Sequence, residues 1–225
     1  MVNYREFRFH KLNTPQFSHL KLLLFWPIHF LFFMLLERVY KPEYNVVHCA
    51  FDDIIPFNEY FLIPYWFWFA FIGGMLIYLL LFDTREFSRE MYFFMVTYAI
   101  TLVIYVIYPT MQELRPTSFE RQNLFTDLVS GLYEFDTNTN VCPSLHVIGA
   151  MAVCISAFHT ERFQHIAWKI SFVVVTLLIC ASTVFLKQHS IIDVFCAIPV
   201  CVVGYFCAYH LIPKWTEKRK LHNNE

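Results

Sequence analysis

Six apolar stretches, at about 20–36, 60–82, 91–112, 141–160, 166–186 and 190–212, account for more than half of this 225-residue chain and constrain its fold more than any other feature. Several reach the ~20 residues that a helix needs to cross the hydrocarbon of a bilayer. With 57% hydrophobic residues, 20% aromatics and only 16% charged residues, the chain lacks the polar surface to cover a soluble globule. In lipid each backbone N–H and C=O must be satisfied within its own segment or in a closed barrel, and apolar runs of this length select helices. The sequence therefore predicts an all-α integral membrane protein: a six-transmembrane-helix bundle with short extramembrane loops, forming one membrane domain over residues 1–225.

The first stretch is the weakest, because its strictly apolar part, Leu22 to Leu36, is short and carries Pro27 and His29, although Lys21 can snorkel to lengthen it. Its exit, Glu37-Arg38-Val39-Tyr40, lacks a small-residue cleavage pattern, which favours a retained anchor over a removed signal. On alternate sides of six spans the Lys and Arg residues divide twelve against five, the larger group including Arg5, Arg8, Arg85, Arg162 and Lys218. The positive-inside rule then places both termini in the cytoplasm and the other face outside or in an organelle lumen. Five of the seven cysteines (Cys154, Cys180, Cys196, Cys201, Cys207) read as small hydrophobes within the spans, while Cys49 and Cys142 lie in outer loops where an oxidising compartment would allow pairing. The net charge of −1 says nothing about a partner, and no basic stripe interleaved with aromatics points to nucleic acid, so none is expected. Within the outer loop 117–140, Phe125, Leu128, Val129 and Leu132 recur at helical spacing, which predicts an interfacial helix.

The polar residues worth most attention gather at that outer face. Pro143 and Ser144 stand where the fourth span should begin, with proline at the first helical position and His146 in the first turn. Free N–H groups at such a terminus attract anions, phosphate among them. In the sixth span His189 and Asp193 are four residues apart and are expected to share a helical face. A carboxylate accepting from imidazole Nδ1 leaves Nε2 as nucleophile or base. Arg115, at the end of the third span, and Lys187 add two cations suited to phosphate oxygens. Each residue alone has an ordinary explanation as a helix cap or a membrane anchor; together they outline a phosphate-ester site.

These residues resemble the three signature blocks of the type-2 phosphatidic acid phosphatase superfamily. The first block, a lysine, six residues and Arg-Pro, is half matched by Arg115-Pro116, with Tyr108 in place of the lysine. The second, Pro-Ser-x-His, is met by Pro143, Ser144 and His146. The third is met by Ser182, His189 and Asp193, with Thr183 in place of an arginine. The resemblance covers about residues 90–212 as a catalytic core. It implies that His189 attacks phosphorus, Asp193 orients it and His146 protonates the leaving alcohol. Arg115, Ser144, Lys187 and Ser182 would bind the phosphoryl oxygens, with no metal or cofactor required. The implied substrate is a lipid phosphate ester, and the acceptor is water in a phosphatase or an alcohol in a phosphotransferase.

Two cations missing at Tyr108 and Thr183 suit a singly charged phosphodiester, and Ser-Leu-His in the second block resembles the sphingomyelin and inositol-phosphorylceramide synthase branch. The sequence thus leans to head-group transfer, with a phosphatidate or isoprenoid-diphosphate phosphatase as the alternative. A transporter would spread its polar residues through the depth of several spans, whereas these sit at one face. A non-catalytic member is the remaining option.

Overall fold

The computed structural model of the chain describes residues 2–213. It is all-α, about 73% helical, and eight α-helices carry its architecture: α1 (Phe25–Arg38), α2 (Ala50–Ile54), α3 (Leu62–Phe82), α4 (Thr84–Ile107), α5 (Leu124–Phe135), α6 (Leu145–His159), α7 (Ile166–Phe185) and α8 (Ile191–Phe206). Five helical segments, Ser18–Arg38, Glu59–Phe82, Thr84–Ile107, Ile166–Phe185 and Ile191–Leu211, are long and apolar enough to cross a membrane. A tighter turn over Ser18–Leu24 runs into α1 and lengthens the weak first stretch. Pro27 falls in the first turn of α1, where its fixed φ suits the start of a helix.

The fourth apolar stretch, expected as a full span over 141–160, forms the shorter helix α6 of 15 residues, roughly 22 Å long. Ser144 caps it, its Oγ accepting from Val147 N, so the stretch gives up its first four residues to a loop. Small side chains at Gly149, Ala150, Ala152 and Ala157 let α6 sit at the centre, packed against α3, α4, α7 and α8. Phe87, Met91, Phe93 and Phe94 from α4, Ile148 and Val153 from α6, Ile179 from α7 and Ala197 from α8 form the core between them. α1 stays at the margin, with only 11% of its span buried.

The segments between the helices knit together at one end of the bundle. β1 (Asn45–Val46) pairs in parallel with β2 (Thr110–Met111), and Met111 bridges to Thr139. Glu37, at the end of α1, accepts from Asn140 Nδ2 at 2.6 Å and from the Thr137 hydroxyl. The predicted helix in the 117–140 loop is α5, which starts at an Asn123 cap reciprocated by Thr126 and packs Val129 against Leu62, Tyr65 and Leu186. At the opposite end Tyr4 donates to Leu80 O, and Phe17 is fully buried. Lys214, Lys218, Arg219 and Lys220, four of the twelve charges counted on the inner side, lie outside the described residues.

Candidate functional site

Two helix N-termini bring the sequence-predicted histidines face to face. The backbone N–H of Ser144 donates to Asp193 O at 3.2 Å, which ties the start of α6 to the start of α8. The His146 and His189 rings lie 5.8 Å apart, edge to face. His189 Nδ1 is 3.1 Å from Asp193 Oδ2, and because a carboxylate only accepts, Nδ1 carries the hydrogen and Nε2 holds the free lone pair. The contact arises differently from the expectation of a shared helical face. α8 begins at Ile191, Ser190 is its cap, and Asp193 reaches back to accept from Ser190 N at 3.0 Å while holding His189, which precedes the helix. Pro143 likewise precedes the Ser144 cap instead of opening α6, and its carbonyl accepts from Tyr105 at 2.7 Å.

His146 is held between aromatic rings: Tyr65 at 4.4 Å and Trp68 at 4.6 Å between centroids. Trp68 Nε1 also donates to the His146 carbonyl at 2.9 Å, and the Tyr65 hydroxyl donates to Asp136 Oδ2 at 2.9 Å. Burial pushes the Asp136 carboxyl above the usual carboxylate range, opposed by the Tyr65 hydrogen bond and the Arg115 charge. Both histidines line a cavity of about 690 Å³. One end is polar, walled by Asp136, Thr137, Thr139, Asn140 and Gln188 as well as the histidines. The other end runs between aromatic and aliphatic faces of α1, α3 and α4.

The four residues expected to bind phosphate are held by other partners. Lys187 takes a left-handed backbone conformation, φ 53°, in the turn between α7 and α8. Its ammonium donates to Asp52 O at 2.6 Å and Ile55 O at 2.5 Å, and it does not line the cavity. Burial lowers its pKa, against the pull of Asp52 and Asp53. Ser182 donates to Ile179 O within α7 and is fully buried. Ser144 Oγ accepts from Val147 N as the cap of α6, a bond that leaves its O–H to donate, but the residue does not line the cavity. The Arg115 guanidinium stacks on Tyr133 at 4.6 Å and donates to the carbonyls of Tyr133, Asp136 and Thr137 and to Gln188 Oε1 at 2.5 Å. Burial lowers the Arg115 pKa, and Asp136 opposes the shift. Arg115 therefore braces the 136–137 wall and Gln188, one residue before His189. No Lys or Arg lines the cavity among the described residues. Tyr108 is 56% exposed, and the Thr183 hydroxyl donates to Cys180 O, so no cation stands in for those absent from the signature blocks. Cys49 and Cys142 are both free thiols, and burial together with the Asp193 charge pushes the Cys142 thiol up.

Sequence reasoning passed over Asp52, in a loop that looked uninformative. Its carboxylate accepts from Ser190 Oγ at 2.6 Å, Ile191 N at 2.9 Å and Cys49 N at 2.9 Å, clamping the N-terminus of α8 next to His189. Burial alone would raise its pKa, but these hydrogen bonds win and hold it below the usual value. The only trace in the sequence was Asp52-Asp53 amid aromatics. Asp136 gave no signal either, whereas Tyr65 and Trp68, three apart, could have been read as one helical face.

A family model described as the PAP2 superfamily matches residues 89–219, more than half of the chain. No curated protein and no solved structure matches it.

Proposed function

The chain belongs to the PAP2 superfamily, and on that premise we propose that it is a membrane-embedded phosphoesterase of lipid phosphate esters that works through a phosphohistidine and transfers the phosphoryl-bearing group to an alcohol. His189 Nε2 attacks phosphorus as the bond to the leaving oxygen breaks, and His146 gives that oxygen its proton. In the second half-reaction His146 takes the proton of the entering hydroxyl, whose oxygen attacks phosphorus as the P–N bond breaks. Asp193 holds His189 in the required tautomer and stabilises the charge on its ring. The edge-to-face pair, 5.8 Å between ring centroids, supports this assignment, because two imidazoles that line one cavity at that separation are both within reach of a single phosphoryl group beside them.

The observation that carries the preference for transfer from a phosphodiester is the charge of the cavity wall. A phosphomonoester brings nearly two negative charges and a phosphodiester one. The described wall offers no Lys or Arg and does include the Asp136 carboxyl. Arg115, the nearest cation in the signature blocks, is already engaged by three carbonyls and Gln188. In the same proposal α6 completes six crossings, α5 lies in the interface, both termini are cytoplasmic and the histidines face the opposite side.

The test is mass spectrometry of products from purified protein given phosphatidate or a phosphodiester lipid, with and without an alcohol acceptor, alongside His189→Ala. A new head-grouped lipid that needs both acceptor and His189 is the expected result. Free phosphate released from phosphatidate without acceptor dependence would replace transfer with hydrolysis.

A further inference from the structure

The cavity continues far past the histidines, and its deep part has walls that phosphate chemistry does not require. On α1 the lining residues Trp26, His29, Phe30, Phe33 and Met34 recur every three or four positions, which is one helical face. On α3 Tyr65, Trp68, Phe69, Ile72, Gly73 and Leu76 do the same. The two faces look at each other across the cavity, with α1 packed on α4 at the margin of the bundle. Along α3 the lining extends from Tyr65, stacked on His146, to Leu76, a rise of about 17 Å. An apolar slot that starts at the reacting groups and descends along the spans matches a hydrocarbon tail attached to the phosphate ester.

One position in that wall is made of nothing but backbone. Gly73 lines the cavity, and a Cβ built on it would meet no atom within 4 Å. Its neighbour Gly74 is equally uncrowded but lies outside the cavity wall. Gly149 is the opposite case, since a Cβ there would come within 2.6 Å of Ile72 Cδ1 and 2.8 Å of Trp68 Nε1. Close packing therefore explains Gly149 and leaves Gly73 unexplained. Gly73 lies about 12 Å below Tyr65, so a large side chain there would close the lower part of the slot.

We propose that this cavity holds a hydrocarbon tail of the lipid phosphate ester and that Gly73 sets the length of tail it admits. The inference rests on the phosphoesterase reading for the position of the phosphate, but its test does not depend on turnover. Alkyl methyl phosphates, from butyl to hexadecyl, are singly charged diesters with one tail. Added to protein in nanodiscs, they raise the unfolding temperature as tails lengthen, until the slot is full. In Gly73→Phe that rise should stop at a shorter tail, and kcat/KM should fall at least about tenfold for long tails while staying unchanged for the shortest. Gly74→Phe should behave as the parent does.

A plateau at the same tail length in Gly73→Phe and parent would overturn the proposal, as would an equal loss of kcat/KM for every tail. If the length-dependent stabilisation responds to Gly73→Phe but no ester shows His189-dependent turnover, the tail site stands and the phosphoesterase reading falls.

Discussion

At the scale of single residues, two carboxylates outside the signature blocks bear on the chemistry in different ways. Asp136 lies in the cavity wall with its carboxyl raised by burial. Asp136→Asn keeps an oxygen to accept from the Tyr65 hydroxyl and removes a charge that repels the second charge of a monoester. The variant should gain on phosphatidate relative to a phosphodiester by about fivefold, the equivalent of ~1 kcal/mol. In the parent the discrimination against monoesters should strengthen as pH rises through the elevated Asp136 pKa, beyond the change that Asp136→Asn shows for the same donors. Parallel profiles for the two proteins would remove Asp136 from substrate selection. Asp52 does not reach the cavity wall; it is a positioning residue. Asp52→Ala leaves Ser190 Oγ, Ile191 N and Cys49 N without their acceptor at a cost of about 1–3 kcal/mol. Because its folded pKa is depressed, its contribution to stability is present above the ordinary Asp pKa of ~3.9 and is lost as pH falls through the lower folded value. Thermal unfolding of parent and Asp52→Ala should accordingly differ most at neutral pH and converge in acid. kcat for Asp52→Ala should fall with KM little changed, because the N-terminus of α8 beside His189 loses its clamp while the cavity wall, which Asp52 does not line, stays intact.

At the scale of elements, the tight seam between α3 and α6 holds His146, the general acid of the proposed mechanism. Gly149 lets α6 approach until Trp68 Nε1 reaches the His146 carbonyl. Gly149→Ala must push Ile72 and Trp68 aside, an overpacking cost of about 1–3 kcal/mol. It should lower both the unfolding temperature and the turnover, whereas Gly73→Ala on the same helix pair should leave stability unchanged or improve it. Equal stability of the two variants would mean that the seam adjusts freely. This contrast marks where the sequence stopped being legible. Apolar runs announced the membrane helices, and the four-residue spacing announced the His189–Asp193 pair, because both are local patterns; His146 was brought to them by placing the ends of the fourth and sixth spans on one side. Lys187 was misjudged because nearness to His189 in the chain does not fix direction, and the left-handed turn at that residue points the ammonium to Asp52 and Ile55. Asp52 and Asp136 escaped notice because their partners stand 138 and 71 residues away, Ser190 and Tyr65 respectively. The start of α8 was misread by two residues because Ser190 and Asp193 close a cap between them, a pattern that the pairing with His189 concealed.

At the scale of the whole molecule, the number of crossings decides which side of the membrane the chain ends on. Five segments satisfy length and composition, and α6 does not, at roughly 22 Å against a hydrocarbon thickness of about 30 Å. The thickness requirement applies to a helix whose backbone faces lipid. α6 is surrounded by α3, α4, α7 and α8, and its own ends are extended by protein, with Val141, Pro143 and Ser144 buried before it and Thr160 buried after it. Non-helical backbone at membrane depth is tolerated where protein covers it, so a short central helix can complete a crossing that an isolated one could not. With α6 crossing, parity returns the C-terminus to the side of the N-terminus, in keeping with twelve basic residues on one side and five on the other. Without it the ends fall on opposite sides. Reporter fusions in a bacterial host separate the two cases. A reporter active only in the cytoplasm should work when joined after residue 225, and one active only outside should work when joined near residue 120, between α4 and α5. If the fusion after residue 225 instead works only with the external reporter while the one near residue 120 still reports outside, α6 does not cross; if the one near residue 120 turns cytoplasmic as well, it is the marginal α1 that fails to cross.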